Sequence, residues 1–291
     1  IEYFQIALSA NRSRADVWHL MAQTYSEAFH LALDEVDFDT AVQFYNKRLQ
    51  LGATAALYFD YGNLLLTCSD TFGEEELLKQ ACNYLDAALK RTPEAKYVHP
   101  EWLFAYAKAL DLASDFEENE QDLVLSIKLL KDIYALDSNF PGLFHQLALS
   151  IHHLASLMLD SNLTDSALHY FKLGHLKDKE NGDLLIDWSA ALLSSLESLT
   201  GLDQITAYEE QAHDKIMKGI ALGAMQGYYL LACLYANKRE LDTAFFYFQK
   251  AHQYDTLPSM FELEEESFLE PLMATDSMQN FLEQIGWKSE L

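Results

Sequence analysis

Residues 241–255 read LDTAFFYFQKAHQYD, residues 164–176 read TDSALHYFKLGHL, and residues 39–52 read DTAVQFYNKRLQLG. One frame runs through all three: a small residue, a ring four positions on, and a small or apolar residue three beyond. It is filled by Ala244, Phe248 and Ala251; by Ala167, Phe171 and Gly174; and by Ala41, Tyr45 and a discordant Arg48. Looser copies stand at Ala81, Leu85 and Ala88, at Ser126, Leu130 and Ile133, and at Ala212, Ile216 and Gly219. An amphipathic stretch precedes each copy, with its own small residue at Ala22, Gly62, Ala107, Ala148, Ala190 and Ala232.

These leading positions follow one another at 40, 45, 41, 42 and 42 residues. From leading to trailing small residue the separation is 19 in the first four units, 22 in the fifth and 12 in the sixth. This is a repeat array. Two antiparallel helices approach closely only where their side chains are small, so each helix of a pair carries an Ala or Gly at the crossing. The larger residue one turn later fills the space toward the next unit. A single pair cannot bury its apolar faces, so pairs stack.

Composition agrees with helices. The 291 residues include 11 Gly and 5 Pro, too few for a turn-rich β fold, and 50% hydrophobic with 22% charged residues is an ordinary soluble balance. A net charge of −25 argues against nucleic acid, whose phosphates are bound by clustered Lys and Arg. It also disfavours an anionic membrane surface. No apolar run approaches the roughly 20 residues of a membrane span, so membrane insertion is not expected. Cys68, Cys82 and Cys233 form no CxxC pair and sit in apolar stretches, as reduced thiols do in a reducing, cytoplasmic compartment. The chain opens at Ile1 without a basic, signal-like start, and reads as trimmed from something longer.

At its most regular the pattern resembles a known family. The sixth unit, with Tyr228, Leu231, Ala232, Tyr235, Ala244, Phe248 and Ala251, resembles a tetratricopeptide repeat of standard length. Unit one carries the same set as Trp18, Met21, Ala22, Tyr25, Ala41 and Tyr45. Unit two carries it as Tyr58, Tyr61, Gly62, Leu65, Ala81, Leu85 and Ala88, closed by Pro93. The first four units depart from that family by seven extra residues between the small positions, which gives repeats of about 40–42 residues. Seven residues are close to two helical turns, so the insertion reads as one extra turn on each helix. Residues 26–33 and 152–159 continue the apolar pattern accordingly. The fifth unit gains three more residues around Thr200 and Gly201, expected in its turn.

The resemblance implies an all-α, right-handed superhelical solenoid of helical hairpins. Residues 1–13, with Phe4 and Ala7, form the trailing helix of a truncated repeat; residues 14–258 form six repeats; residues 259–291 form C-terminal capping helices.

The sequence assigns no catalytic residue, cofactor or metal site. It holds no phosphate loop, nucleophile elbow, HExxH or GxGxxG. His145 and His152 share a helix face, but seven residues place them about 10 Å apart along the axis, too far for one metal. They read as solvated or groove-lining. The acidic runs at 111–122 and 262–270 read as solvated segments, or as a docking rim that steers a cationic partner.

In arrays of this family the leading helices line a concave groove. The resemblance therefore implies that His19, Gln23, Phe59, Asn63, Phe104, Lys108, His145, His152, Asp187 and Tyr229 face a partner. Phe59, Phe104 and Tyr229 are either anchors for a peptide or packing under a neighbouring helix. Of a cationic clamp for a C-terminal carboxylate only Asn63 and Lys108 are present, which disfavours an EEVD-type tail. The expected function is a non-enzymatic protein–protein interaction scaffold or adaptor that holds a basic or amphipathic segment. The alternatives are a chaperone for a secreted or membrane-inserting client, and a structural arm of a larger multidomain protein.

Overall fold

The computed structural model describes residues 6, 11, 14–92, 99–196 and 199–287, and among these there is no strand. The expectations for Phe4, Ala7 and Pro93 lie outside the described residues. Contacts divide the chain into two compact units, residues 1–158 and 159–291.

The first unit contains α1 (Ala15–Ala32), α2 (Glu35–Gln50), α3 (Ala55–Phe72), α4 (Glu75–Lys90), α5 (Pro100–Glu117), α6 (Glu120–Leu136) and α7 (Leu143–Met158). Consecutive helices pair as the antiparallel hairpins α1–α2, α3–α4 and α5–α6, and each hairpin packs on the next. The second unit contains α8 (Ser161–Lys177), α9 (Gly182–Ser195), α10 (Leu202–Ala221), α11 (Gly227–Asn237) and α12 (Leu241–Gln253). The short helices α13 (Met260–Glu265), α14 (Glu270–Met273) and α15 (Asp276–Gln284) follow. Both units are built from stacked helical hairpins.

The small residues stand where the repeat spacing puts them. Ala22, Ala41, Ala81, Ala107, Ser126, Ala148, Ala167, Ala212, Ala232 and Ala244 are all fully buried. A Cβ on Gly62 would stand 2.9 Å from Leu85 Cγ, so only glycine fits that crossing. The fifth unit needs one correction. Ala190 is half-exposed, and its neighbour Ser189 occupies the crossing, fully buried, with its hydroxyl donating to Leu185 O at 2.7 Å. A serine can take this place because it returns its proton to its own helix and leaves no buried donor unpaired.

The extra residues of the early units are helix, as expected, though unevenly shared. Helix α1 runs ten residues past Ala22, whereas α11 stops five past Ala232. Helix α2 begins six residues before Ala41, and α12 begins three before Ala244. The leading helix thus gains more than a turn and the trailing helix just under one.

Between them the turn shrinks to two residues, a left-handed one followed by the next N-cap. The pairs are Leu33 and Asp34, Gly73 and Glu74, and Glu118 and Asn119, and the local backbone at Leu159 and Asp160 follows the same pattern. Asp34, Asn119 and Asp160 each accept a bond from an orphan N–H of the helix that follows. Leu33 holds φ 53°, a conformation that costs an L residue about 1–2 kcal/mol and that glycine adopts freely. Leu33→Gly is therefore expected to raise stability toward urea by about 1 kcal/mol once the entropy of the unfolded glycine is deducted. An unchanged or lower midpoint would show that this turn carries no such strain.

The second unit closes on its C-terminal segment. Leu263, Leu269, Leu272, Met278 and Leu282 are buried against Ala232, Ala236, Ala244 and Phe248. A capping box between Ser259 and Glu262 starts this segment. The acidic stretch at 262–270 is therefore amphipathic, with Leu263 and Leu269 in the core.

Candidate functional site

The polar positions of the leading helices are joined through aspartates one repeat away. Asp60 Oδ2 on α3 accepts from Gln23 Nε2 at 2.8 Å and lies 2.7 Å from His19 Nε2, both on α1. Lys108 Nζ on α5 reaches back to Asp70 Oδ2 on α3 at 2.6 Å. On α7, Gln146 Nε2 donates to Asp111 Oδ2 of α5 at 2.6 Å, and His153 Nδ1 lies 3.1 Å from Asp111 Oδ1. Each leading helix of the first unit is thus tied to the next by a carboxylate.

Asp60 stands at the centre of the candidate site. Between α1 and α3 opens a cleft of about 380 Å³ lined by Gln23, Thr24, Glu27, His30, Asp60 and Asn63. Tyr45 of α2 is also part of its wall; that ring is 1% exposed and stacks on Tyr61 at 4.9 Å. Ser26 Oγ lies 3.2 Å from the Tyr45 hydroxyl, and burial pushes that phenol well above its ordinary pKa. The Tyr45 side of the wall is therefore neutral. Beside it stand the carboxylates of Glu27 and Asp60, and Asp60 is held by its contacts with Gln23 and His19.

Of the ten positions taken from the resemblance, the structure gathers His19, Gln23 and Asn63 around this cleft. Lys108 is engaged by Asp70 and is not presented as a free cation. The three rings are packed: Phe59 stacks on Trp102 at 4.9 Å and 13°, and Phe104 meets Phe140 at 5.2 Å. Tyr229 lies against the core of the second unit and is hydrogen-bonded to Cys233. His145 and Asp187 are half-buried on α7 and α9.

His152 is half-buried. Its Nδ1 is buried without a hydrogen-bond partner, and its ring lies 5.9 Å from that of His153. Burial, and then the charge of His153, hold it down to about 4 against the opposing pull of Asp111. Because the folded state binds this proton more weakly than the unfolded chain, its stabilising contribution is complete above pH 6.5. It is lost as pH falls toward 4. A shift of this size is worth at most roughly 3 kcal/mol. Urea midpoints measured from pH 7 to pH 4 should fall less steeply for His152→Phe than for the native chain; parallel curves would refute the assignment.

The acidic run at 111–122 also departs from its expectation. Asp111 is 2% exposed inside α5, where it serves as the acceptor just described, and only residues around the α5–α6 turn are solvated. Sequence reasoning passed over Asp60 and Asp70 and took Asp111 as the start of a solvated or rim-forming acidic run. A signal was available, since each stands about one repeat, 35–42 residues, from its polar partner.

The thiols are free and buried or half-buried, with burial raising Cys68 to about 11 and Cys82 to about 12. Among the described residues, no group of three or more His, Cys, Asp or Glu is placed to hold a metal ion. No helix there is long and apolar enough to cross a membrane.

Comparison with solved structures agrees with this architecture. PilF of Pseudomonas aeruginosa superposes with a TM-score of 0.51 at 14% identity, over 92% of this chain and 99% of that one. The fold is a helical-repeat solenoid. YrrB, described as a TPR protein with an unusual peptide-binding site, aligns at TM-score 0.49 and 18% identity over 76% of this chain and 92% of its own. No protein-family model and no curated protein matches the chain.

Proposed function

We propose that the protein is a non-enzymatic interaction scaffold. Its leading-helix groove holds a basic or amphipathic segment of a partner protein. The observation that carries this reading is the α1–α3 cleft, where Glu27 and Asp60 stand beside the buried ring of Tyr45 with no Lys or Arg among the lining residues. The net charge of −25 adds long-range attraction for such a segment. The pairing of Lys108 with Asp70 leaves that lysine poorly placed to clamp a carboxylate.

The test is fluorescence anisotropy with labelled peptides of matched length and opposite charge. A Lys- and Arg-rich peptide should bind, and Asp60→Asn with Glu27→Gln should weaken it about tenfold, two surface ion pairs being worth up to ~1 kcal/mol each. Binding should also weaken with added salt. Equal affinity for the acidic peptide would contradict the reading, as would equal affinity of the double variant for the basic one.

A further inference from the structure

The lengthened hairpins create a second cleft that shares no residue with the first. It holds about 360 Å³ and lies among α4, α5 and α6. Its floor is apolar: Leu78 and Leu110 are buried, Tyr106 and Ala113 are half-buried, and Phe116 is 48% exposed at the edge. Glu75, Leu78 and Phe116 belong to the ends of α4 and α5 that lie nearest their hairpin turns. Those are the helix ends that the early hairpins extend and the α11–α12 hairpin lacks.

The rim is acidic. Glu75, Asp86, Glu117 and Asp122 surround the mouth. Lys79 Nζ bridges Glu75 at 2.7 Å and Glu117 at 3.0 Å, and Lys90 pairs with Asp86 at 2.6 Å. Asp122 accepts from the neutral amide of Asn119 at 2.9 Å. Four carboxylates against two ammonium groups leave an uncompensated negative field over an apolar floor. The titratable groups register it: burial and then Glu117 raise Asp122, and burial and then Asp122 raise Cys82.

We propose that this cleft is a separate docking site for a protein segment in which a large apolar side chain adjoins lysine or arginine. The apolar side chain enters over Ala113 between Tyr106 and Phe116. The neighbouring cation takes the place between Glu75 and Glu117 that Lys79 now fills. Lys79 is then an internal competitor. A second copy of this chain is a poorer occupant, because its own charge of −25 opposes approach.

The experiment uses the whole chain and three fluorescein-labelled hexapeptides, RLRFRL, RSRSRS and ELEFEL, read by anisotropy. RLRFRL is expected to bind, with the other two at least tenfold weaker. Ala113→Trp, which fills the floor, should weaken RLRFRL about tenfold, the effect of blocking one anchor pocket. Lys79→Met should tighten it about threefold, within the range of one exposed ion pair. All three peptides are read in the Asp60→Asn and Glu27→Gln background, which removes the contribution of the α1–α3 cleft.

If Ala113→Trp does not weaken RLRFRL in that background, or if the background changes alone abolish its binding, the proposal fails. Equal binding of ELEFEL, or weaker binding in Lys79→Met, also overturns it. Far-UV circular dichroism checks the tryptophan variant; if that variant unfolds, the Lys79→Met result decides alone, since this side chain is exposed at the rim.

Discussion

Tyr45→Ala should lower the stability of the first hairpins by about 3–5 kcal/mol, the cost of truncating a buried aromatic side chain. The ring is 1% exposed, stacks on Tyr61 of the following hairpin, and meets Ser26 of its own. It therefore closes both the α1–α2 pair and the joint to α3. In a stack where each hairpin is held by its neighbours, the loss should appear locally. Hydrogen exchange should lose protection across α1, α2 and α3 first, while the later helices keep theirs. Tyr45→Phe removes only the hydroxyl contact and should cost about 1 kcal/mol. A loss below 1 kcal/mol for the alanine variant would mean that the ring does not carry this joint.

Asp111→Ala should cost about 1.5–3 kcal/mol, the range for losing a hydrogen bond to a charged group. Both carboxylate oxygens face α7, and Gln146, itself buried, loses its acceptor when they go. The paired change Asp111→Leu with Gln146→Leu removes donor and acceptor together and should recover much of that loss, because neither polar group is then stranded. Urea denaturation of the single and double variants measures the difference. Additive costs would show that the two side chains do not act as a pair.

The repeat frame was open to sequence reading because close packing leaves little choice at a helix crossing. Ala22 and Ala41, or Ala107 and Ser126, must be small wherever two backbones meet, so a constant spacing of 19 betrays the hairpin. Extra residues in multiples of a helical turn keep the same faces opposed, so the lengthened helices were legible too. The error at Ala190 has the same root: in the run Ser189, Ala190, Ala191 all three side chains are small, and composition alone cannot say which one faces the partner helix.

The candidate site was less legible because polar contacts depend on reach as well as register. His19, Gln23 and Asn63 come from single leading helices, but their meeting point, Asp60, is fixed only when two helices are placed side by side. The left-handed turns were invisible for a different reason. Leu33, Glu118 and Leu159 occupy positions where glycine is the usual signal.

A positively charged segment seated in the α1–α3 cleft would lie against Thr24. Replacing Thr24, an exposed residue on its wall, with a photo-crosslinking amino acid tests this directly. The labelled chain would be irradiated with equimolar RLRFRL and ELEFEL, and the adducts counted by mass spectrometry. Adducts to the basic peptide are expected, reduced when Asp60→Asn and Glu27→Gln are added. Adducts that do not distinguish the peptides, or that persist unchanged in the double variant, would contradict that seating.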